Sequence, residues 1–491
     1  MQSSNELQYW ITRLDKRTYA LFIGASVGLI SGLIGLLVAI AGPVVATGVV
    51  LGGLAGLYVL TDVTAALYGV IVTMILLPFG TFPVKIAITP TLMDIALGAF
   101  VIVYLFQWMT GRREMIRLTP VHALVGLYMM WLVLSFALGL RHASPTAANL
   151  RQFAETLLSI SLVFILVDLL QDPQTLRRLV LVVLLAVGAQ AAVAIGLYGL
   201  PDTVAENVLV RLARLGYPNG GVIRYIEDNP ALAERAIGTW VDPNTLGGIL
   251  AVAAVMITPQ VFAIKPVLRY RWLTLAVLGL VGLALFLTFS RASMLAFAAG
   301  LLVIAIIRYR RLIPALILLG ILFLFLPQTQ AYIERMVEAF TAADLATQMR
   351  IGEWTDSLYL IGRYPVFGVG FTGTPDIDIY TDVANMYLIM ANQIGLVGVL
   401  IFLITMGGVF VYGVCSWRIA RKNSQLDSIH LGYHAALLAA LINALADLYF
   451  FRLDFQASIT LFWILIALAL ASSRLVQTMQ ESALVKNPTV M

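Results

Sequence analysis

Arginine residues beside long apolar stretches are the side chains of this sequence best suited to chemistry at a membrane surface. Arg291 follows a serine between two apolar runs that are joined by almost no loop, Arg235 precedes an Asp-Pro-Asn segment, and Arg350 opens the stretch RIGEW. A guanidinium group can donate two hydrogen bonds to one phosphate or carboxylate group. The simpler alternatives are that Arg291 snorkels at a helix end, and that Arg350 forms a surface ion pair with Glu353.

The stretch ERAIGTWVDPNTLGGIL, residues 234–250, predicts where one helix begins. Asp242 is suited to cap the helix, and Pro243 is suited to its first turn. A helix N-terminus attracts anions, and Arg235 is close enough in sequence to share such a site. Capping alone explains Asp242, but it does not explain Arg235.

The stretch QMRIGEWTDSLYLIGRYP, residues 348–365, predicts an amphipathic helix. Its apolar residues Ile351, Trp354, Leu358 and Ile361 recur at helical spacing, which indicates a helix lying along the membrane surface. Acidic residues follow in PDIDIYTD, and the spacing of Asp376 and Asp378 is that of some metal-binding pairs. Two acids at this spacing are common in loops, so we predict no metal site.

The stretch PVFGVGFTGT, residues 365–374, contains the pattern GxGxxG. A dinucleotide-binding turn requires a strand before this pattern and a helix that opens within it. Here an amphipathic helix and Pro365 come before, and Pro375 follows. The glycines therefore predict a tight, backbone-exposed turn, which is also a candidate moving part.

Composition indicates the elements that must position these residues. Of 491 residues, 60% are hydrophobic and only 12% are charged, which is typical of a polytopic membrane protein. The single cysteine excludes an internal disulfide, and the four histidines are too scattered to suggest a metal site. Runs long enough to cross a bilayer predict about fourteen helices, with counts of about twelve or thirteen left open because some runs are short or rich in glycine. The predicted spans are 20–41, 44–61, 64–80, 92–109, 121–140, 155–170, 178–198, 245–264, 272–289, 292–308, 312–327, 394–415, 430–447 and 457–473.

The distribution of basic residues predicts the orientation of these spans. Most Lys and Arg residues fall in alternate short connections, which places both termini in the cytoplasm under the positive-inside rule. Two long connections, 199–244 and 328–393, are then external, and their basic residues are all arginine. The predicted organisation is a cytoplasmic interfacial segment (1–19), an N-terminal transmembrane bundle (20–198), an external loop (199–244), transmembrane helices with the Ser290-Arg291 motif (245–327), a large external catalytic loop (328–393), C-terminal transmembrane helices (394–473) and a cytoplasmic tail (474–491).

The order of these motifs resembles a known family. An Arg-x-x-Gly-x-x-x-Asp-Pro-Asn segment before a span and a Ser-Arg pair at the outer boundary precede a long loop with R-x-x-x-W, P-x-x-G-V-G and N-x-Y-L-x-x-x-x-x-x-G-x-x-G. Residues 235 to about 402 carry this similarity to the O-antigen ligase/O-antigen polymerase superfamily of bacterial membrane glycosyltransferases. The resemblance implies an all-α polytopic chain with a C-type glycosyltransferase fold, in the bacterial cytoplasmic membrane, with its active site on the external face.

The resemblance also implies the substrates and the residues that bind them. The donor would be an undecaprenyl-diphosphate-linked glycan, and the acceptor another glycan or lipid-linked molecule. No cofactor, metal or nucleic acid is implied. Arg291, Arg235, Arg350 and Arg151 are then the candidates for binding the diphosphate, and Asn244, Trp354 and Tyr387 for other substrate contacts.

One position departs from the pattern of the ligases. They have His-Asn where this chain has Ala384-Asn385, and no histidine occurs in 328–393. The catalytic candidates are therefore Asp382, Glu353 and Asn385, with an acid replacing the histidine as base. The departure favours a polymerase, with a ligase as the alternative. A flippase of lipid-linked oligosaccharides is the rival from another class, but the two halves of the chain show no internal repeat.

Overall fold

The computed structural model describes residues 62–81, 90–111, 116–325, 345–373 and 383–486, together with scattered helical residues between 18 and 39 and between 329 and 337. The interfacial segment 1–19 and the predicted spans 20–41 and 44–61 fall almost entirely outside the described residues. What is described is mainly α-helix. The helices in chain order are α1 (Val63–Leu76), α2 (Leu92–Met109), α3 (Val121–Gly139), α4 (Ala147–Leu169), α5 (Pro173–Tyr198), α6 (Asp202–Val210), α7 (Pro243–Ile257), α8 (Pro259–Phe262), α9 (Arg271–Leu287), α10 (Arg291–Ile307), α11 (Leu312–Phe325), α12 (Leu345–Arg363), α13 (Met386–Ala420), α14 (Asp427–Asn443) and α15 (Gln456–Lys486).

Within the described residues, 7 helical segments are long and apolar enough to cross a membrane. They are α2, α3, α4, α5, α7 together with α8, α13 and α15, and shorter apolar helices include α1, α9 and α10. Each predicted span from residue 64 onward overlaps one helix, except that 245–264 overlaps both α7 and α8, and the total of about fourteen spans is not confirmed. The helices differ from the predicted spans mainly at their ends, because capped polar residues extend them beyond the apolar run. Thr146 caps α4 and Asn385 caps α13, eight or nine residues before the predicted starts at 155 and 394.

Two segments form the centre of the bundle. The apolar windows of α7–α8 and of α15 are each 89% buried, and α7 packs on α10 and α14 while α15 packs on α4 and α13. Small residues make the packing of α7 close, since a Cβ atom at Gly248 would overlap the hydroxyl of Tyr449. Close approach at small residues is how helices associate when no water drives them together.

The connection between α5 and α7 contains the strands seen in the described residues. Strand β1 (Arg224–Tyr225) pairs antiparallel with β2 (Glu234–Arg235), with Arg224 opposite Arg235. These two strands have only 2 residues each, and the described structure is otherwise mainly helical, as expected. The hairpin matters because β2 carries Arg235 to the N-terminal ends of α7 and α10.

The predicted amphipathic helix is confirmed as α12. Its buried side chains include Ser357 and Leu360, whereas Ile351, Trp354 and Leu358 of the predicted apolar face are 47%, 41% and 61% exposed. The apolar face of α12 therefore points away from the rest of the chain, as expected for a helix that lies against lipid.

The glycine-rich turn after α12 packs against a break in α13. Helix α13 is interrupted at Gly395, where φ is 71° and ψ is 172°. The amides of Val369 and Gly370 donate to the carbonyl oxygens of Asn392 and Gln393, at 2.8 and 2.9 Å. The break frees these carbonyl groups from the helix, and the turn satisfies them. The predicted tight turn is confirmed, with Gly370 at φ +81°, but its exposure is only partial, since Val369 and Gly370 are buried whereas Gly373 is exposed.

Candidate active site

A cavity of about 640 Å³ brings together residues from five segments of the chain. The segments are the β-hairpin, the N-terminal ends of α7 and α10, helix α12, and the connection between α14 and α15. Their side chains at the cavity include Arg235, Asn244, Arg291, Arg350 and Asp447. The structure thus places three of the four arginines predicted to bind diphosphate, together with Asn244, around one space.

Arg235 is held in a fixed orientation by its neighbours. Its Nε donates to the carbonyl oxygen of Thr288 at 2.8 Å, and its Nη2 donates to Oδ1 of Asn244 at 2.6 Å. The next amide, of Ala236, donates to the carbonyl oxygen of Leu287 at 2.8 Å. These bonds fasten β2 to the end of α9 and leave the guanidinium facing the cavity, so that its position is set before any ligand binds.

Arg291 is the first residue of α10, and a sharp turn positions it. Phe289 has a left-handed φ of +51°, which reverses the chain within three residues and costs about 1–3 kcal/mol in a non-glycine residue. Ser290 then caps α10 by accepting a hydrogen bond from the amide of Ser293. Strain of this kind persists where the surrounding structure requires it, and here the turn places Arg291 at the N-terminus of α10, where it lines the cavity.

The N-terminus of α7 is capped by a side chain of the protein itself, so it is not open to the bound anion that the sequence suggested. The carboxylate of Asp242 accepts hydrogen bonds from the amide and the hydroxyl of Thr245, at 2.6 and 2.8 Å. The predicted cap and Pro243 in the first turn are therefore confirmed. Because Asp242 already satisfies this helix end, the contribution of α7 to the cavity is the side chain of Asn244.

Arg350 does not form the predicted ion pair with Glu353. Among the described residues, Glu353 Oε2 instead accepts a hydrogen bond from the amide of Ala384 at 3.0 Å. Arg350 lines the cavity, where its positive charge acts on Asp447. The reason is that α12 turns these two side chains toward different neighbours, although they are three residues apart.

Asp447 is a cavity residue that the sequence analysis missed. It lies in the connection between α14 and α15, is 8% exposed, and lines the same space as the three arginines. The pKa of Asp447 is raised to about 7, chiefly by burial and also by the nearby charge of Asp242, although the charges of Arg350 and Arg235 lower it. A carboxyl group with this pKa can accept a proton near neutral pH. The signal that could have found it is an acidic residue at the end of an apolar span.

A short series of side-chain hydrogen bonds involves residues on both sides of Asp447 in the sequence. The hydroxyl groups of Ser290 and Ser293 are 2.8 Å apart, and Ser293 Oγ accepts from Nδ2 of Asn443 at 3.2 Å. The hydroxyl of Tyr449 donates to Oδ1 of Asn443 at 2.8 Å. These bonds join the first turn of α10, which carries Arg291, to the segment on either side of Asp447.

Three other predicted site residues do not line the cavity: two of them join helices, and one is exposed. Asn385 caps α13 and donates from Nδ2 to the carbonyl oxygen of Leu445 at 2.8 Å. The hydroxyl of Tyr387 donates to the carbonyl oxygen of Leu441 at 2.9 Å. Both tie α13 to the end of α14 and do not line the cavity. Trp354 is on the exposed face of α12.

One further predicted residue lines a different cavity, and another lies outside the described residues. Arg151 forms an i,i+4 ion pair with Glu155 at 3.1 Å and lines a separate cavity between α4 and the start of α15. Asp382 lies outside the described residues, as do Asp376 and Asp378. Among the residues that are described, no group of three or more His, Cys, Asp or Glu side chains could hold a metal ion.

Residues 275–403 match the family model described as O-Antigen ligase. The match supports assignment to the O-antigen ligase/polymerase superfamily. It includes Arg291 and Arg350, whereas Arg235, Asn244 and Asp447 lie outside the matched range. No curated protein matches the chain. The match shows similarity to this family over about a quarter of the chain, and the apolar helices fit a membrane protein.

Proposed function

We propose that the protein is a glycan polymerase that transfers glycan from undecaprenyl diphosphate to a sugar hydroxyl of a second lipid-linked glycan. The observation that carries this proposal is the convergence of Arg235, Arg291 and Arg350 around one cavity that also contains the buried carboxyl group of Asp447. Three guanidinium groups suit a diphosphate, which presents several anionic oxygens in one place.

The reaction would be a displacement at the anomeric carbon with inversion. Asp447 takes the proton of the acceptor hydroxyl, whose oxygen forms a bond to the anomeric carbon. The bond from that carbon to the diphosphate oxygen breaks, and its electron pair leaves with undecaprenyl diphosphate. Negative charge grows on the leaving group as this bond breaks, so the arginines stabilise the transition state more than the bound donor. The lipid diphosphate is already an activated leaving group, and the chemistry assigned to these residues calls for neither a nucleotide nor a metal ion.

The positive-inside distribution of Lys and Arg supports an active site on the external face with both termini in the cytoplasm. Ligase activity toward another acceptor is the second candidate. The polymerase is favoured because Ala384 stands where ligases have histidine, and because the carboxyl group of Asp447 offers a base of another kind.

The experiment that tests the proposal supplies purified protein in lipid vesicles with undecaprenyl-diphosphate-linked repeat units and with lipid A core as an alternative acceptor. Longer lipid-linked chains are expected, and products on lipid A core would instead indicate a ligase. Movement of lipid-linked glycan across the vesicle membrane without transfer would contradict the proposal and favour a flippase.

Variants of the cavity arginines make this experiment specific. Arg235→Ala and Arg291→Ala should each lower the transfer rate by about 10²–10³-fold, the loss typical of removing one transition-state hydrogen-bond donor. Arg214→Ala is the matched control, since Arg214 is an exposed arginine of the same connection and does not line the cavity. Equal rates for all three variants would contradict the assignment of the diphosphate site.

A further inference from the structure

A second cavity, of about 740 Å³, lies beside the glycine-rich turn and is lined mainly by uncharged polar groups. Its side chains include the amides of Asn149 and Gln152 from α4 and of Asn392 and Gln393 from α13. Arg452 and Asp454 complete it from the connection between α14 and α15. None of these residues lines the arginine cavity.

Two of these amides have hydrogen-bonding atoms with no partner in the described part of the chain. Asn392 is 2% exposed, and its Oδ1 accepts from the hydroxyl of Ser357 at 3.0 Å, yet its buried Nδ2 donates to no described group. The buried Oε1 of Gln393 accepts from none. Buried polar atoms normally find partners, because leaving them without one costs free energy. A ligand that both donates and accepts hydrogen bonds would satisfy both atoms.

The two charged side chains that line this cavity, Arg452 and Asp454, pair with each other. Nη2 of Arg452 is 2.8 Å from Oδ2 of Asp454. In an adjoining cavity that shares Gln152 and Asp454, Arg151 pairs with Glu155 at 3.1 Å. An anion would disturb these pairs, so the site is suited to an uncharged polar ligand. Phe371 adds an apolar ring to the same wall. Hydroxyl groups on a partly apolar ring are the chemistry of a sugar.

The two cavities are close enough for one extended ligand to reach both. Asp447 and Arg452 are five residues apart, so their Cα atoms are separated by at most about 18 Å. The chain between them turns, since the amide of Arg452 donates to the carbonyl oxygen of Leu448 at 3.0 Å. The true separation is therefore shorter. The same short connection presents the proposed base at one cavity and the Arg452–Asp454 pair at the other.

We propose that this second cavity binds sugar units of the acceptor glycan and directs the acceptor hydroxyl toward Asp447. The proposal rests on the transfer reaction proposed above. The acceptor is favoured over the glycan of the donor because the connection that lines the cavity also carries the group that would deprotonate the acceptor.

The test uses two binding probes on the full-length protein in lipid nanodiscs. One probe is undecaprenyl diphosphate without sugar, and the other is the glycan released by mild acid from lipid-linked repeat units. The double variant Gln152→Ala/Gln393→Ala should weaken glycan binding by about tenfold or more, since each amide lost removes hydrogen bonds, while binding of undecaprenyl diphosphate is unchanged. Arg291→Ala should show the reverse pattern.

The controls separate loss of the site from loss of folding. Gln393→Ala keeps the backbone carbonyl that accepts from Gly370, and thermal unfolding should confirm an intact variant. Asn219→Ala removes an exposed amide that lines neither cavity and should leave the binding of both probes unchanged. Unchanged glycan binding in the intact double variant would overturn the proposal.

Transfer kinetics identify which glycan occupies the cavity. The double variant should raise the KM for the acceptor by about tenfold and leave the KM for the donor unchanged. A rise confined to the donor KM would overturn the acceptor assignment. Absence of transfer by the wild-type protein would count against the proposed function, and the glycan-binding measurement would still decide whether the cavity is a sugar site.

Discussion

Arg235 donates a hydrogen bond from Nη2 to Oδ1 of Asn244 at 2.6 Å, which joins the β-hairpin to the first turn of α7. Asn244 thereby orients a guanidinium group whose Nε is held by the carbonyl oxygen of Thr288. Asn244→Ala should leave this guanidinium less well oriented and raise the KM for the lipid-linked donor by about tenfold, the effect of one hydrogen bond to a charged group. A series of donor concentrations at fixed acceptor measures it.

Asn244→Asp provides a sharper version of the same test. The new carboxylate would pair with Arg235 and repel an anionic diphosphate, so the donor KM should rise more than in Asn244→Ala. A donor KM for Asn244→Asp equal to that of the wild type would mean that the diphosphate does not bind beside Asn244.

Asp447 should give the transfer reaction a pH dependence near neutrality. Burial raises the pKa of this carboxyl group to about 7, and only the deprotonated form can accept a proton. The rate should therefore rise with pH through about 7 and level off above it. Asp447→Asn should lower the rate by about 10²–10⁴-fold, the contribution typical of a general base, and abolish this rise. A wild-type rate independent of pH between about 5 and 9 would contradict the role.

The same carboxyl group should also make folding stability depend on pH. The ordinary pKa is 3.8, and in the folded protein it is about 7. Between these values the folded state binds more protons than the unfolded state, so the free energy of unfolding falls as pH rises and becomes level above about 7. Thermal unfolding in detergent at several pH values measures this slope. Asp447→Asn should reduce the slope between about pH 4 and 7, and an unchanged slope would show that the pKa is not raised.

Site residues that lie close to a helix cap in the sequence were predictable from the sequence alone. Arg235, Asn244 and Arg291 each stand near a helix start that Asp242 or Ser290 marks as a cap, and caps depend on neighbours in sequence. The amphipathic α12 was likewise visible from its spacing. These signals gave most of the helices and three of the cavity arginines without any knowledge of the packing.

Contacts between distant segments were not predictable in this way. Asp447 becomes a site residue only because α14, which precedes it, packs on α7 and α10, and no local pattern in the sequence predicts that packing. The ion pair expected between Arg350 and Glu353 is not formed. The carboxylate of Glu353 instead accepts a hydrogen bond from the amide of Ala384, which belongs to another segment of the chain. Gly368 and Gly370 predicted a turn. The burial of that turn depends on the break at Gly395 in α13, which the sequence around the two glycines does not indicate.

Arg151 provides a test in which sequence and structure disagree. The sequence grouped it with the arginines that bind diphosphate, whereas the structure places it beside Glu155 in another cavity. Arg151→Gln should therefore leave the binding of undecaprenyl diphosphate unchanged. Arg291→Ala, measured in parallel, should weaken it by about tenfold or more, as expected for a lost charge-assisted contact. Equal losses in the two variants would restore the sequence-based grouping.

Gly370 tests whether the glycine turn is a packed element of the fold. A Cβ atom at Gly370 would lie 2.5 Å from the Cα of Gly139 in α3, and the φ of +81° is unfavourable for any residue with a side chain. Gly370→Ala should lower stability by about 1–3 kcal/mol from backbone conformation alone, with a further loss from the displaced helix. Thermal unfolding in detergent measures this loss. Gly352→Ala in α12 is the matched control, because a Cβ there meets nothing within 4 Å and alanine favours a helix by about 1 kcal/mol over glycine. Equal stability of the two variants would show that the turn is loosely held and free to move over the second cavity.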